Sequence, residues 1–386
     1  MNLSGDERAL AEKRFWRPTY AEVDLDNIRH NVRLFAELVG DGCQIMAVVK
    51  ADGYGHGDVE TAGAALQAGA TRLGVALVEE GDRLRGAGFK IPIHLLFEPP
   101  VSAAGRVVEL ALNPTVYTME FAEALSRAAV EKDVGISVHA KVDTGMHRVG
   151  MNPDRAASML EEIALLPGLK LEGIYTHMAM ASELDHPFSL RQWRVFERVL
   201  EEMETRGIEV PIRHSAASGA ALSLPDARMD MIRLGIAMYG LLPGGSYTGM
   251  LDLRPALSLR TRISQVFRVP AGEGLSYGLT HVFDEPSWVA VLPLGYADGL
   301  SRDLSNRWEV LIAGKAYAQV GMICMDICMV KLGEDRYTAG EEVTVIGGYG
   351  EEEIGIERVA GVLGTINYEI VCGIGKRVPR VYRNVR

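Results

Sequence analysis

Two textures alternate along the larger, N-terminal part of the chain, from about Tyr20 to Tyr239. Short runs rich in β-branched residues are followed by longer segments in which apolar residues recur at helical spacing. The strand candidates, in chain order, are YAEVDL, QIMAVVK, RLGVAL, PIHLLF, TVYTM, ISVHAKVD, LEGIYTH, IRHSA and MIRLG. Repeated strand–helix units of this size predict a parallel sheet, and their number, eight or nine, predicts a closed (β/α)8 barrel.

Three of the intervening segments show clear helical spacing. They are DNIRHNVRLFAELV, DRAASMLEEIALL and SLRQWRVFERVLEEMETRG. Asp26, which opens the first segment, is a candidate N-cap because its side chain can accept a hydrogen bond from a backbone N–H group of the first turn. Gly207, which ends the third, is a candidate helix stop because glycine readily adopts the left-handed conformation.

The pattern changes near Pro243. The segment LLPGGSYTGMLDLRP is rich in glycine and proline, and the runs after it are short, strand-like and separated by turns. Helical spacing returns in IERVAGVLGTI. These features predict a barrel domain over residues 1–250 and a mostly β domain over residues 251–386.

Composition narrows the classes of partner and of site. A length of 386 residues suits about two domains with separate cores. The formal charge of −11 and the sequence pI of about 5.4 argue against a nucleic-acid or an anionic membrane partner. The charged N-terminus lacks an apolar targeting segment, and apolar runs stay short of the roughly 18 residues that span a bilayer, so we expect a cytoplasmic protein. Four cysteines without metal-site spacing are expected to be reduced thiols, with no metal bound.

The stretch AVVKADGYGHG places one cation, Lys50, at the end of an apolar strand. The carboxyl ends of barrel strands form the site face, and a lysine with an apolar stem can lose its proton and act as a nucleophile. Three glycines in the next loop allow close backbone approach to a ligand, and Tyr54 adds a hydroxyl group. By position alone, Lys50 could equally be a strand-end lysine that points into solvent.

This stretch resembles the cofactor-lysine motif of alanine racemases, pyridoxal-phosphate (PLP) enzymes built from a barrel and a β domain. Further motifs that resemble the family follow in its order, and they cover the chain from about residue 20 to 380: KVDTGMHRVG, YTHMA, HSAAS, IRLGIAMYG, LSYGLT, GYADG, ICMD and INYEI. The resemblance implies a PLP-dependent racemase that interconverts L-alanine and D-alanine and supplies D-alanine for peptidoglycan.

The resemblance also implies how the cofactor is held. Lys50 would bind PLP covalently and act as a catalytic base. Arg233 would face the pyridine nitrogen, and because guanidinium keeps its proton, that nitrogen would stay essentially unprotonated.

Two arguments place the phosphate of the cofactor. Barrel enzymes often bind phosphate in the loops after the last two strands, where Ser218 follows one late strand candidate and Gly235 with Ile236 follows another. The resemblance assigns the same residues and adds the hydroxyl groups of Tyr54 and Tyr368. Taken alone, Ser218 could be a helix N-cap, and LGIAMYG could be barrel packing.

Racemisation removes the α-proton from one face of the substrate and returns it from the other, so two acid–base groups are the simplest arrangement. The resemblance places Tyr277 opposite Lys50. In the family this tyrosine reaches the barrel site of the partner subunit, which implies a homodimer with shared sites. His177 and Arg233 match the network that the family places beside the tyrosine.

The remaining site residues are likewise implied by the resemblance. Arg148 is expected near the phenolic oxygen of PLP or the substrate carboxylate. Lys141 matches a lysine that is carbamylated in many family members, where the new anion braces the arginine. Tyr296 and Met325 match residues that narrow the entrance and contact substrate from the second subunit.

Four positions depart from residues common in the family: Ala217, Met322, Ile327 and His147. They leave the breadth of substrate open, so serine or several amino acids are alternatives to alanine. A fold-related PLP decarboxylase is a further alternative, but it should present a carboxylate to the pyridine nitrogen where this chain has Arg233. A non-catalytic PLP-binding protein of the single-barrel type would need no β domain.

Overall fold

The computed structural model describes residues 16–350 and 352–386, and packing divides them into two compact units. The barrel unit consists of Asn27–Gly53 and Asp58–Arg254. The β unit consists of the described residues up to Asp26 together with Tyr54–Gly57 and Pro255–Arg386.

The strands of the barrel unit are short and mostly buried. Strand β1 (Tyr20–Asp24) belongs to the β unit, and the next eight strands form the barrel: β2 (Gln44–Val48), β3 (Arg72–Val75), β4 (Ile93–Leu95), β5 (Asn113–Val116), β6 (Ile136–Lys141), β7 (Leu169–Tyr175), β8 (Ile212–His214) and β9 (Met231–Leu234). In β2 the four residues after Gln44 are all buried, as expected of a parallel strand covered on both faces.

Helices precede or follow these strands along the chain. They are α1 (Leu25–Val39), α2 (Asp58–Gln67), α3 (Val78–Gly86), α4 (Ala104–Glu109), α5 (Met119–Glu131), α6 (Pro153–Ala164), α7 (Pro187–Thr205) and α8 (Ser218–Ser223). Within the described part of the chain, no helix has both the length and the apolar character that crossing a membrane would require.

The barrel sheet is nearly closed. Its strands pair in the order β8–β7–β6–β5–β4–β3–β2–β9, and every pair is parallel. Two backbone hydrogen bonds close the remaining seam: Asp230 N–H donates to Arg213 O (3.1 Å), and Arg233 N–H donates to Ala216 O (3.0 Å).

The β unit is built around one ten-stranded sheet and a two-stranded hairpin. Its further elements are β10 (Leu257–Arg262), β11 (Gln265–Val269), β12 (Gly274–Leu275), β13 (His281–Val282), β14 (Ser287–Leu292), β15 (Glu309–Ile312), β16 (Lys315–Val320), β17 (Cys328–Gly333), β18 (Glu342–Tyr349), β19 (Glu352–Ile354), α9 (Ile356–Leu363), α10 (Asn367–Gly373) and β20 (Arg380–Arg383). The main sheet runs β11–β14–β17–β16–β15–β18–β10–β1–β20, and β19 pairs with β18. Phe283, Val289 and Met329 belong to an apolar cluster of this unit.

The predicted (β/α)8 barrel with a second, mostly β domain is confirmed. Eight of the nine strand candidates are barrel strands. The exception is YAEVDL, because β1 pairs antiparallel with β10 and parallel with β20 in the β unit. Its alternation indicates a strand, but the choice of partner depends on residues far along the chain.

Of the two helix-boundary residues predicted from the sequence, Gly207 is correct and Asp26 is not. Helix α1 begins at Leu25, and Asp24 rather than Asp26 is the cap, since its Oδ1 accepts the backbone N–H of Asp26 at 2.8 Å. Asp26 lies in the first turn instead, where a negative charge is favourable. Gly207 lies two residues after the last residue of α7 and has a φ of 71°, as predicted for a glycine stop.

Candidate active site

Lys50 opens an unusual turn after strand β2. The next three residues have left-handed backbone conformations: Ala51 (φ 52°), Asp52 (φ 56°) and Gly53 (φ 60°). Such a conformation costs a residue other than glycine about 1–2 kcal/mol, so the surrounding structure must impose it. Gly53 N–H donates to Val49 O at 2.9 Å, which closes the turn.

Neighbouring side chains hold this turn in place. Ala51 N–H donates to Glu80 Oε1 at 2.6 Å, and Asp52 pairs with Arg83 at 3.3 Å. A Cβ at Gly53 would lie 2.7 Å from Thr61 Oγ1, so a side chain larger than hydrogen does not fit there. The turn therefore fixes the half-buried Lys50 at the carboxyl end of β2.

Three of the cations predicted from the sequence surround one aromatic ring. The centroid of Phe97 lies 5.7 Å from Lys50 Nζ, 5.6 Å from Lys141 Nζ and 5.4 Å from Arg148 Cζ. A cation over the face of an aromatic ring is stabilised by the negative side of its quadrupole, which offsets part of the repulsion between neighbouring cations. Their convergence creates a local positive field suited to an anionic ligand.

Lys141, the last residue of β6, is buried. Desolvation and the positive charges of Arg148, Arg233 and Lys50 lower the pKa of Lys141 to about 7, and Asp143 opposes the shift. A substantial fraction of this amine is therefore neutral near pH 7. A neutral amine is also the form that reacts with carbon dioxide.

Arg233, on β9, is buried and held by neutral acceptors. Its Nη1 donates to His214 Nδ1 at 2.9 Å, and its Nη2 donates to His177 Nδ1 at 3.1 Å. Carbonyl oxygens of Thr176 (2.8 Å) and Ser215 (2.9 Å) accept further bonds from Nη2. Burial lowers the pKa of Arg233 to about 10, which still leaves the guanidinium protonated at neutral pH.

His177 follows β7 and is kept neutral. Desolvation and the charges of Arg233 and Arg148 lower its pKa well below its ordinary value. Because Arg233 can only donate, Nδ1 of His177 must accept, so we assign its single ring proton to Nε2. His177 thus presents an N–H donor beyond the arginine.

A backbone cradle lies after β8 and β9. Ser218 Oγ accepts the N–H of Gly235 at 3.1 Å and that of Ala237 at 3.4 Å, and Ile236 begins a short 3-10 turn after Gly235. Strand β9 pairs with β2, with Leu234 opposite Ala47, so this cradle and Lys50 follow neighbouring strand ends. The hydroxyl and clustered N–H groups are the chemistry that a phosphate needs.

Two predicted tyrosines come together in the β unit. The rings of Tyr54 and Tyr368 have centroids 6.0 Å apart at an angle of 48°. Burial raises the pKa of Tyr368 to about 12, so it remains a hydroxyl donor at neutral pH. A Cβ at Gly55 would meet Val371 O at an impossible 2.2 Å, which explains a glycine beside Tyr54.

The other predicted site residues, Tyr277, Tyr296 and Met325, lie in three loops of the β unit. Ser276 Oγ donates to Met322 O at 2.9 Å, and Tyr296 N–H donates to Cys324 O at 3.0 Å, which joins the loops. Tyr277 is 74% exposed in the single chain, Met325 52% and Tyr296 42%. A cluster of exposed large side chains of this kind is typical of a surface that meets another molecule.

The four departures from common family residues lie near these groups. Ala217 bridges to Arg233 through the backbone, and Met322 contributes its carbonyl oxygen to Ser276. Ile327 is exposed. His147 has a φ of 53° and contacts Asp143, whose Oδ1 accepts its backbone N–H at 3.0 Å.

Sequence reasoning missed Phe97 and His214 as site residues. Each lies at or just beyond a strand end, Phe97 after β4 and His214 at the end of β8, and each contacts a residue that was predicted. Strand-end position was the available signal. The contacts themselves depend on barrel closure, which a linear pattern does not contain.

Comparison with known proteins gives a consistent result. The family models for the alanine racemase N-terminal and C-terminal domains match residues 23–243 and 256–382. An alanine racemase of Desulfovibrio desulfuricans is 43% identical over 369 residues, covering 95% of this chain and 99% of the relative. The crystal structure of an alanine racemase from Streptomyces lavendulae superposes with a TM-score of 0.92 at 37% identity, covering 96% and 98% of the two chains. A histidine racemase from Leuconostoc mesenteroides gives a TM-score of 0.88 at 25% identity, with coverages of 96% and 99%. The chain belongs to the alanine racemase family of isomerases.

Proposed function

We propose that the protein is a PLP-dependent racemase that interconverts L-alanine and D-alanine and supplies D-alanine for peptidoglycan. The observation that carries the proposal is Arg233, a buried guanidinium held by neutral groups. Arg233 lies on β9. Gly235 of the cradle follows β9 directly, and Lys50 follows β2, the strand that pairs with β9.

The residues fit PLP in chemical type. Lys50 would bind it covalently, Ser218, Gly235 and Ile236 would hold its phosphate, and Arg233 would face its ring nitrogen. Tyr54 and Tyr368 are proposed to add hydroxyl donors. When bound, PLP supplies a conjugated ring that stabilises negative charge on the α-carbon of an amino acid.

Arg233 would control how strongly that ring withdraws electrons. It is a donor at every nitrogen, so it can hydrogen-bond to a ring nitrogen without transferring a full proton. A PLP decarboxylase is expected to use a carboxylate at this position, which would keep the ring nitrogen protonated. The arginine therefore supports proton exchange at the α-carbon over loss of the carboxylate.

We further propose two bases in a homodimer. Lys50 would exchange the α-proton on one face, and Tyr277 of the partner subunit would exchange it on the other. The high exposure of this tyrosine in a single chain supports a role across an interface. Tyr296 and Met325, which lie in adjoining loops, would line the same entrance.

Arg148 is proposed to bind the substrate carboxylate. Its guanidinium lies beside Phe97, whose ring is also close to Lys50 and Lys141, so a carboxylate there would meet a permanently charged donor in a cluster of basic groups. Carbamylation of Lys141 would convert one of these cations into an anion and would orient Arg148. Neither Arg148 nor Lys141 is proposed to contact the side chain of the substrate. Alanine is therefore preferred here on family membership, with serine or several amino acids as the alternative.

The direct test follows D-enantiomer formation by chiral chromatography after incubating purified protein with PLP and single L-amino acids. We expect D-alanine to form fastest, and Lys50→Ala to abolish it. Release of carbon dioxide and an amine would indicate a decarboxylase. Unchanged L-amino acids with bound PLP would indicate a passive binder, and faster conversion of serine would correct the substrate.

A further inference from the structure

A chain of polar side chains runs through the barrel interior from Arg233. His214 Nε2 lies 2.9 Å from His139 Nδ1, and His139 Nε2 lies 3.1 Å from Glu172 Oε2. Arg72 closes the far end with two bonds to the Glu172 carboxylate, at 2.9 and 3.2 Å. We call the side chains of Glu172, His139 and His214 the relay.

The relay has one consistent direction of donation. Arg233 only donates, so Nδ1 of His214 must accept and its proton must lie on Nε2. That proton is donated to Nδ1 of His139, which leaves the proton of His139 on Nε2. Nε2 then donates to Glu172, a carboxylate that only accepts. Every hydrogen-bond donor in the relay therefore faces an acceptor.

Packing keeps the rings in the planes that these bonds require. His139 and His214 are fully buried, and Tyr175 stacks on His214 with centroids 4.6 Å apart at 11°. The rings of His139 and His214 meet edge to face, at 5.1 Å and 68°. Rotation of either imidazole would therefore displace a neighbour, and the proton position becomes the main variable.

Both imidazoles are neutral, so each can accept a hydrogen bond at one ring nitrogen and donate one at the other. Burial, Arg233 and His139 lower the pKa of His214 well below its ordinary value, and burial lowers that of His139. At the far end, bonds from His139 and Arg72 lower the pKa of Glu172 to about 2 despite the opposing effect of burial. The carboxylate is thus the single anion at the end of two neutral rings.

We propose that Glu172 is a positioning residue for Arg233, acting through His139 and His214 by fixing which nitrogen of each ring carries the proton. Without the carboxylate, His139 could carry its proton on Nδ1 and donate it to Nε2 of His214. The proton of His214 would then lie on Nδ1, which faces Arg233. Two donors would meet, and the guanidinium would move. The importance of this position for turnover rests on the proposed function, whereas the proton positions themselves do not.

The test compares the parent protein with four single variants and with the double variant that combines Glu172→Gln and His139→Leu. Glu172→Gln removes the anion but keeps the shape. His139→Leu interrupts the relay, whereas His139→Gln retains an acceptor for His214 and a donor for Glu172. Glu22→Gln is the matched control, because Glu22 in the β unit is likewise a carboxylate that pairs with arginine, in its case with Arg260 and Arg383.

The first measurement is the 15N spectrum of histidine-labelled protein, with and without PLP, which reports the protonated nitrogen of each imidazole. We expect His214 to carry its proton on Nε2 in the parent, in His139→Gln and in Glu22→Gln. Glu172→Gln and His139→Leu should show a mixed or reversed population. A proton on Nδ1 in the parent would overturn the proposal, as would an unchanged His214 spectrum in both interrupting variants.

The second measurement is the kinetics of racemisation. We expect Glu172→Gln and His139→Leu each to lower kcat roughly 10- to 100-fold with little change in KM, because a displaced catalytic contact costs rate more than substrate binding. The double variant should be no slower than either single one, and His139→Gln should restore most of the rate. Additive losses, or equal losses in Glu22→Gln, would show a general packing effect and overturn the proposal.

The kinetics depend on the proposed function, whereas the 15N spectra do not. If none of the proteins racemises an amino acid, the proposed function fails, but the 15N spectra still decide the direction of the relay. If Glu172→Gln does not fold, the pair His139→Leu and His139→Gln decides the same point. Equal spectra in that pair would then contradict the relay.

Discussion

Replacing Lys141 by methionine removes the buried amine and keeps most of the side-chain stem, so the stability gained should depend on pH. In the folded protein the pKa of Lys141 is lowered from 10.5 to about 7, chiefly by desolvation and then by Arg148. That difference corresponds to about 5 kcal/mol of unfavourable free energy when the amine is charged in the fold.

The sign follows from proton binding in the two states. Between pH 7 and 10.5 the unfolded chain holds the proton of Lys141 and the folded chain has lost it. The free energy of unfolding of the parent should therefore rise by about 1.4 kcal/mol per pH unit relative to Lys141→Met. Below pH 7 both states are charged, and the penalty is fully present. Above pH 10.5 it has vanished.

The assay is equilibrium urea unfolding of both proteins, loaded with PLP, at pH 7, 8 and 9 in buffer free of carbon dioxide. The stability advantage of the variant should shrink by roughly 2–3 kcal/mol across this range. Lys170→Met removes the same charge from an exposed position on β7 and should leave the pH slope of the parent unchanged. If the stability advantage of Lys141→Met stays constant from pH 7 to 9, the pKa of Lys141 is not lowered in the fold and the reasoning is refuted.

Bicarbonate provides an independent check of the same group. Carbamylation joins the neutral amine to carbon dioxide and releases a proton, so it should be favoured above pH 7. Added bicarbonate should then stabilise the parent by mass action and have no effect on Lys141→Met. Equal stabilisation of both proteins would show a general salt effect.

Three further predictions concern Lys50, Tyr277 and the turn that follows Lys50. Borohydride treatment of the PLP-loaded protein followed by peptide mapping should label Lys50, and a label on a different lysine would contradict the cofactor assignment. Tyr277→Phe should lower turnover by roughly 100-fold or more with PLP binding, measured by absorbance titration, nearly unchanged; normal turnover would exclude an acid–base role. Gly53→Ala should destabilise the fold by about 1–3 kcal/mol in urea unfolding, because Gly53 has a φ of 60° and a Cβ would lie 2.7 Å from Thr61 Oγ1; unchanged stability would show that the turn relaxes freely.

The sequence contained most of the fold because local pattern and burial agree along the barrel. Continuous apolar runs such as QIMAVVK predict strands covered on both faces, and β2 is such a strand. YAEVDL shows where local pattern stops being sufficient. Its alternation is that of any half-buried strand, and only its pairing with β10 and β20, more than 230 residues away, assigns it to the β unit.

The site was predictable to the extent that its residues lie in motifs at strand ends. Lys50 and Ser218 were proposed from such positions, and Arg233 from the family resemblance of its motif. Phe97 was not, because its role comes from three cations that reach it from different elements. Glu172 and His139 were also missed, since they lie within strands, where a polar residue most often has a purely structural explanation, and their contact depends on the register of β6 against β7.

Mixing two inactive variants tests the central claim most directly, which is that one active site takes Lys50 from one chain and Tyr277 from its partner. Lys50→Ala and Tyr277→Phe proteins would be combined, refolded together and separated by distinct affinity tags, and D-alanine formation would be measured in the purified heterodimer. We expect clear activity, because one of its two sites would contain both native groups. A heterodimer as inactive as either parent variant would contradict the shared site.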